Sequence, residues 1–260
     1  MTAPNTVLKS DGTRQSDVAI VTGAARGLGF QIGLALLRDG HRVIFTDISR
    51  DALAAIDLPA DVPVERVKTM PLDVKEKAEF ARVLDDALAA WGSVQILVNC
   101  AAVTRTTPVF DITPDEFSLV MDINLRSVFV GCQVFGAYFR EQGYGRIINI
   151  ASLAAQNGGT ATGAHYAASK GGIVTLTKVF ARELAANGVT CNAIAPGPLN
   201  VQLLREILPE EKLAGIPSSI PVGQLGDPAF IGRIACLMAS REAVSMTGST
   251  VDANGGLYVR

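Results

Sequence analysis

The sequence predicts an α/β protein: a single doubly wound parallel sheet of about seven strands with helices on both faces. Three observations predict it. Short apolar runs that do not alternate with polar residues recur along the chain, as strands buried on both faces require. Longer helical patterns lie between those runs, which is the order of a parallel sheet with crossover helices. The first run leads through a glycine-rich turn into a helix, "VAIVTGAARGLGFQIGLALL", an arrangement suited to binding a nucleotide. With 260 residues, 48% of them hydrophobic, the chain can build one large domain around a sizeable core.

The elements follow in order. Residues 1–16 are polar, lack the apolar stretch of a signal peptide, and are expected to form a flexible N-terminal tail before a domain spanning 17–260. "VAIVT" (18–22) and "RVIFT" (42–46) read as buried strands flanking a helix over 27–39. "VERVKTMPLDV" (64–74) is a further strand interrupted by Pro71, followed by a helix over 75–91. "QILVN" (95–99), a long helix over 114–142 and "RIINIAS" (146–152) come next. An alanine-rich helix over 163–187 stops at Asn187-Gly188, and "VTCNAIA" (189–195) follows. Residues 199–226 are apolar at helix-like spacing and then loop-like, which predicts a substrate lid in which Leu203, Leu204 and Ile207 pack or face a ligand. Asp227-Pro228 opens a helix over 227–240, and "STVDA" (249–253) is the last strand.

Composition excludes several classes. A net charge of −2, 6% aromatic residues and the lack of any basic run argue against nucleic acid as a partner. No apolar run approaches the ~18 residues of a membrane span. Cys100, Cys132, Cys191 and Cys236 are widely spaced and accompanied by only His41 and His165, so no metal site is expected. Reduced thiols in a cytoplasmic protein are the natural reading.

In the first turn, Gly23, Gly27 and Gly29 are spaced G-x-x-x-G-x-G. They let the backbone fold tightly and bring N–H groups, backed by a helix N-terminus, toward a pyrophosphate. Asp47 ends the second strand, where a carboxylate accepts from both ribose hydroxyls and repels a 2′-phosphate, favouring NAD over NADP. A helix-capping role for Asp47 is the plainer alternative, and Arg26 in the turn could instead pair with a 2′-phosphate. Asp73, after the third strand, either touches the adenine or shapes a turn. Further along, Ser152 stands at the carboxyl edge of the sheet, Asn124 needs a buried partner within a mostly apolar helix, and Tyr166 and Lys170 lie one turn apart on one helix face. Singly, each of these suits a structural role.

Together, "TGAARGLG", Asp47, Asn99, Asn124, Ser152, Tyr166-x-x-x-Lys170 and "PG" at 196–197 resemble the short-chain dehydrogenase/reductase family over residues 17–260. The sequence is most similar to 3-oxoacyl-[acyl-carrier-protein] reductase-like members, a group that blends into sugar and polyol dehydrogenases. The resemblance implies a Rossmann-type fold and an NAD(H)-dependent oxidoreductase acting on a secondary alcohol or ketone, with NADP less favoured. It implies a catalytic tetrad of Asn124, Ser152, Tyr166 and Lys170. Cofactor contacts fall on Gly23, Arg26, Gly27, Leu28, Gly29, Asp47, Asp73, Val74, Asn99 and Ala101, on Tyr166 and Lys170, and on Pro196, Gly197 and Leu199 beside the nicotinamide. Ala102 stands where the family often has glycine, and Val201 where it often has threonine. The ending "DANGGLYVR" resembles tails that pack at subunit contacts, implying a homotetramer. An NADPH-dependent 3-oxoacyl-[acyl-carrier-protein] reductase is the alternative enzyme, and a non-catalytic nucleotide sensor or scaffold the alternative of another class.

The implied mechanism makes an electrostatic demand. A tyrosine with an ordinary pKa near 10 must be brought down by about 4 kcal/mol to act as a base near neutrality. A cation about 4 Å away at an effective dielectric near 20 supplies about that much, so Lys170 is expected to lower the Tyr166 phenol. Ser152 is expected to hydrogen-bond the substrate oxygen, and Asn124 to hold a water leading to Lys170. His165 is expected to point to another helix face, as a structural or pocket-rim residue.

Overall fold

The computed structural model describes residues 16–159, 162–202 and 210–259. The expected tail up to residue 15, and Leu203, Leu204 and Ile207 of the expected lid, lie outside the described residues.

Seven parallel strands form one sheet in the order β3-β2-β1-β4-β5-β6-β7. They are β1 (Val18–Thr22), β2 (Arg42–Asp47), β3 (Val67–Pro71), β4 (Ile96–Asn99), β5 (Gly145–Ile150), β6 (Val189–Pro196) and β7 (Thr250–Ala253). Strands β1, β4, β5 and β6 are buried along their whole length, which is why their sequences show no polar alternation. Pro71 ends β3 rather than interrupting it. This edge strand pairs only with β2, so a missing backbone donor is tolerated there.

Helices α1 (Gly27–Arg38), α2 (Arg50–Ala54), α3 (Lys77–Trp91), α4 (Pro114–Met121), α5 (Ser127–Gln142), α6 (Ala154–Asn157), α7 (Ala164–Leu184), α8 (Glu210–Ser219) and α9 (Pro228–Ala239) accompany the strands. Short α2 and α6 carry too little periodicity to be read from sequence. Ser49 caps α2 by accepting the Ala52 N–H. The 114–142 pattern is one continuous path broken by a wide π-turn at Asp122–Arg126. This stretch is long and apolar enough to cross a membrane by length and composition, which the run-length reading overlooked. Here its Val128, Cys132, Phe135 and Phe139 are buried in the protein core.

Two apolar layers sandwich the sheet. One holds side chains of α3, α5 and α7 against the strands, and the other those of α1 and α9. The carboxyl ends of β1, β2, β4, β5 and β6 then gather at one edge, at Thr22, Asp47, Asn99, Ile150 and Pro196. The strand order reverses between β1 and β4, the place where such sheets bind ligands. Past β6, the 199–226 segment is pinned at its neck: Asn200 N–H donates to Gly226 O (2.9 Å) and Gly226 N–H to Pro198 O (2.9 Å).

Candidate active site

The nucleotide side is built where β1 meets β4. Thr22 ends β1, and its hydroxyl accepts the N–H groups of Cys100 (3.0 Å) and Ala101 (3.1 Å). Gly23 then turns with φ +62°, and a Cβ there would lie 2.6 Å from Ala101 Cα. Only glycine lets the turn lie against the end of β4 in that left-handed conformation. Helix α1 begins at Gly27, and its N-cap residue, Arg26, supplies no side-chain cap. The first-turn N–H groups around Leu28 and Gly29 therefore have no capping side chain, and Gly27 faces open space. Uncapped donors behind an open glycine suit a pyrophosphate.

Asp47 lies beside this turn. Its Oδ2 accepts the Ala25 N–H (3.4 Å) and its Oδ1 the Ser49 N–H (3.1 Å). The carboxylate is thus held at the end of β2 with the glycine turn alongside, and Arg26 is exposed on the same turn. Asp73 accepts the Lys75 N–H (3.0 Å), so it shapes the turn after β3, with Val74 buried behind it. Asn99 is turned into the core. Its Nδ2 donates to Asn149 Oδ1 (2.8 Å), Asn149 Nδ2 donates to Thr177 Oγ1 (3.0 Å), and Gly131 leaves room for the amide. That side chain ties β4, β5 and α7 together, leaving the backbone of Asn99 at the cleft. Pro196 ends β6, and Gly197 and Leu199 follow it at the same edge, with Gly197 packed against Asn254.

The chemical side lies across the end of β5. Ser152 follows β5 and accepts the Ala154 N–H at Oγ (3.1 Å). Tyr166 and Lys170 project from the first turns of α7. Lys170 is buried; its Nζ donates to Ile150 O (2.8 Å) and lies 5.6 Å from the centroid of the Tyr166 ring. Burial lowers its ammonium to about 8. Burial likewise raises the phenol of Tyr166, while hydrogen bonds to the Ser152 and Thr104 hydroxyls pull it back down. Cys100 sits close enough to feel Lys170, although burial still pushes its thiol up to about 11.

One expectation changes here. Lys170 was expected to lower the phenol, yet desolvation dominates, and the groups that oppose it are two hydroxyls. One of the three ammonium N–H groups goes to a backbone carbonyl at the β5 end. Asn124, expected to position a water toward Lys170, also has a structural role. It is fully buried in the π-turn, accepting the Val103 N–H (2.8 Å) and donating to Val103 O (2.9 Å) and Ser169 Oγ (3.2 Å). Its side chain thereby clamps the loop after β4 to α7. Thr22 and Thr104 were missed from sequence; the available signal was a hydroxyl at, or a few residues past, the carboxyl end of a central strand.

A surface groove of about 610 Å³, lined in part by Pro198, Ile220, Asp252 and Tyr258, contains none of Ser152, Tyr166 and Lys170. Gln156 of α6 reaches Asp252 of β7 by a hydrogen bond near its wall.

Comparison with known proteins identifies relatives along almost the whole chain. The profile of the family described as "Enoyl-(Acyl carrier protein) reductase" matches residues 23–258. The chain is 38% identical over 239 residues to a 2-dehydro-3-deoxy-L-rhamnonate dehydrogenase (NAD(+)) of a Sphingomonas species, covering 92% of this chain and 94% of the relative. It is 35% identical over 247 residues to the 3-oxoacyl-[acyl-carrier-protein] reductase FabG of Escherichia coli, covering 94% and 98%. An acetoacetyl-CoA reductase of Rhizobium meliloti is 37% identical over 245 residues, covering 94% and 99%. A solved structure described as "Crystal structure of gox2181" superposes with a TM-score of 0.85 at 29% identity, covering 93% of this chain and 95% of that one.

Proposed function

The chain belongs to the short-chain dehydrogenase/reductase family, and from that premise we propose an NAD(H)-dependent oxidoreductase that interconverts a secondary alcohol and a ketone at Tyr166. The observation that carries the reading is the group around one phenol: the buried Lys170 ammonium 5.6 Å from its ring centroid, with the Ser152 and Thr104 hydroxyls opposing the rise in its pKa. The glycine turn, the uncapped start of α1 and the Asp47 carboxylate suit a dinucleotide. When bound, the nicotinamide supplies the hydride carrier and, oxidised, a positive charge that favours phenolate.

The chain's own residues handle the proton. With its pKa raised by burial, Tyr166 keeps its proton at neutral pH and serves as the acid that protonates a carbonyl oxygen. Ser152 donates to the same oxygen as negative charge develops there. Lys170, lowered to about 8, is still mainly cationic at neutral pH and offsets the phenolate left behind. Asn124 holds the loop that carries Thr104. In the oxidising direction the same phenolate accepts the alcohol proton.

NAD is favoured over NADP because Asp47 lies where a 2′-phosphate would have to be accommodated. The relative whose name specifies NAD(+) supports that choice. The rival, an NADPH-dependent 3-oxoacyl reductase, draws on Arg26 and on the FabG likeness. The reading also carries a homotetramer in the cytoplasm, with residues 199–226 covering the substrate. Exposed Phe117, Phe129 and Val179 on one face and Phe230 and Leu237 on another support assembly. A panel of 3-oxo esters, cyclic ketones and sugar-derived alcohols, run with NADH, NADPH and their oxidised forms, tests the proposal. Turnover that is lost in Tyr166→Phe and is faster with NADH is expected. A preference for NADPH above tenfold overturns the role of Asp47, and turnover surviving in Tyr166→Phe overturns the role of the phenol.

A further inference from the structure

Beside the tetrad lies a second polar construction that the proposed chemistry does not use. His165, the neighbour of Tyr166, is completely buried. Its Nε2 lies 2.9 Å from Glu116 Oε1 on α4, and the same oxygen accepts the Thr107 hydroxyl at 2.6 Å. Its Nδ1 accepts the backbone N–H of Tyr166 at 3.0 Å. A ring nitrogen that accepts carries no proton, so the imidazole proton sits on Nε2 and is donated to the Glu116 carboxylate.

The local helix geometry explains why a histidine stands here. The first-turn N–H groups of a helix need partners, and usually an N-cap side chain provides one. The N-cap of α7 is Gly163, which has no side chain. A Cβ at Gly163 would lie 2.2 Å from His165 Cε1, so the imidazole fills the space a capping side chain would occupy. His165 therefore caps the N–H of Tyr166 itself, while its other nitrogen reaches out of the helix to α4.

The same few residues stitch the loop after β4 onto α7. Val103 is held by both ends of the Asn124 amide. Arg105 O accepts the Gly163 N–H (2.8 Å). Thr107 is held through Glu116 to His165. Between these ties lies Thr104, near enough to Tyr166 for its hydroxyl to pull the phenol's pKa down.

We propose that His165 is a positioning residue: through Glu116 and Thr107 it fixes the 103–107 loop against the first turn of α7, setting the approach of the Thr104 hydroxyl to the Tyr166 oxygen. The inference rests on the reading of Tyr166 as the proton-transfer residue. A histidine kept only for packing would stabilise the fold without influencing the phenol.

Three readouts test it: kinetics with the fastest substrate of the panel, cofactor dissociation constants, and tyrosinate absorbance during pH titration. The Tyr166 signal is isolated by subtracting the same background carrying Tyr166→Phe. In His165→Leu, kcat is expected to fall about tenfold, the scale of one neutral hydrogen bond. The cofactor dissociation constant should stay within about twofold, and the Tyr166 titration should move upward as Thr104 is released. Glu116→Ala should reproduce those changes, and Glu116→Gln, which keeps an acceptor for both donors, should recover most of them. This pair also decides the question should His165→Leu fail to fold. Unchanged kcat and an unchanged Tyr166 titration in folded His165→Leu or Glu116→Ala overturn the proposal. So does a loss confined to thermal stability. If Tyr166→Phe itself keeps turning over, the underlying reading of the phenol falls instead.

Discussion

Lys170→Met should change the pH dependence of stability in a direction set by burial. The Lys170 ammonium is buried and lowered from 10.5 to about 8. At 1.36 kcal/mol per pH unit, that gap makes the charged form about 3 kcal/mol harder to bury than the neutral one. Between those two values the unfolded chain binds more protons than the folded one, so wild-type stability from this group rises with pH across that window. Below about pH 8 the full penalty is present. Methionine has the length but no charge, and so no penalty. It also strips Ile150 O of its 2.8 Å donor, which costs about 1–3 kcal/mol at every pH. The absolute stability difference at one pH therefore decides little, whereas its change with pH isolates the ammonium. Urea denaturation of both proteins without cofactor, at about pH 7 and about pH 9.5, should show wild type gaining about 2 kcal/mol on Lys170→Met over that interval. Cys100, which feels Lys170, is replaced by alanine in both proteins, and the remaining tyrosines and cysteines that titrate in the same range are common to both and cancel. A difference that stays constant, or that moves against wild type, would mean that the Lys170 charge is not desolvated, and the account of its lowered pKa would fail.

Gly23→Ala should weaken cofactor binding by an order of magnitude or more, measured by calorimetric titration, because a Cβ would meet the Ala101 backbone at 2.6 Å in a left-handed turn. Asn149→Ala should lower unfolding free energy by about 3 kcal/mol in denaturant while leaving cofactor affinity near wild type, since it strands the buried Asn99 amide and opens a small cavity away from the cleft.

Much of this architecture is legible from sequence because burial on both faces writes itself as unbroken apolar runs. The strands found at 18–22, 42–47, 96–99, 145–150 and 189–196 are mainly apolar runs without regular polar alternation, even though buried Arg146, Asn149, Thr190 and Asn192 fall inside two of them. Helix ends marked by Gly188 and by Asp227-Pro228 are equally local signals. What escapes is short or non-local. Helix α6 is a single turn. The π-turn at Asp122–Arg126 arises inside an uninterrupted helical pattern, and its purpose is visible only once Asn124 is seen holding Val103. Pro71 misled because the edge position of β3, which makes a proline harmless, is a property of the sheet and not of the segment.

The site divides along the same line. Spacing alone brings Tyr166 and Lys170 onto one face of α7, and it also suggests that the lysine's charge acts on the phenol. Proximity does not decide which acceptor a buried ammonium takes. Ile150 O, contributed by β5, takes one of its N–H groups at 2.8 Å, and the groups that pull the phenol's pKa down are the hydroxyls of Ser152 and Thr104. Those two come from loops after β5 and β4, which the sheet brings together and the chain keeps far apart. A buried cation that costs the fold about 3 kcal/mol and yet leaves the phenol's pKa raised is poorly explained by that phenol alone. Its position 5.6 Å from the Tyr166 ring centroid and near Cys100 fits, on the proposed function, a charge whose full effect is exerted when a phenolate forms beside it during turnover, a state in which opposite charges close together in a water-poor site attract far more strongly than on the surface.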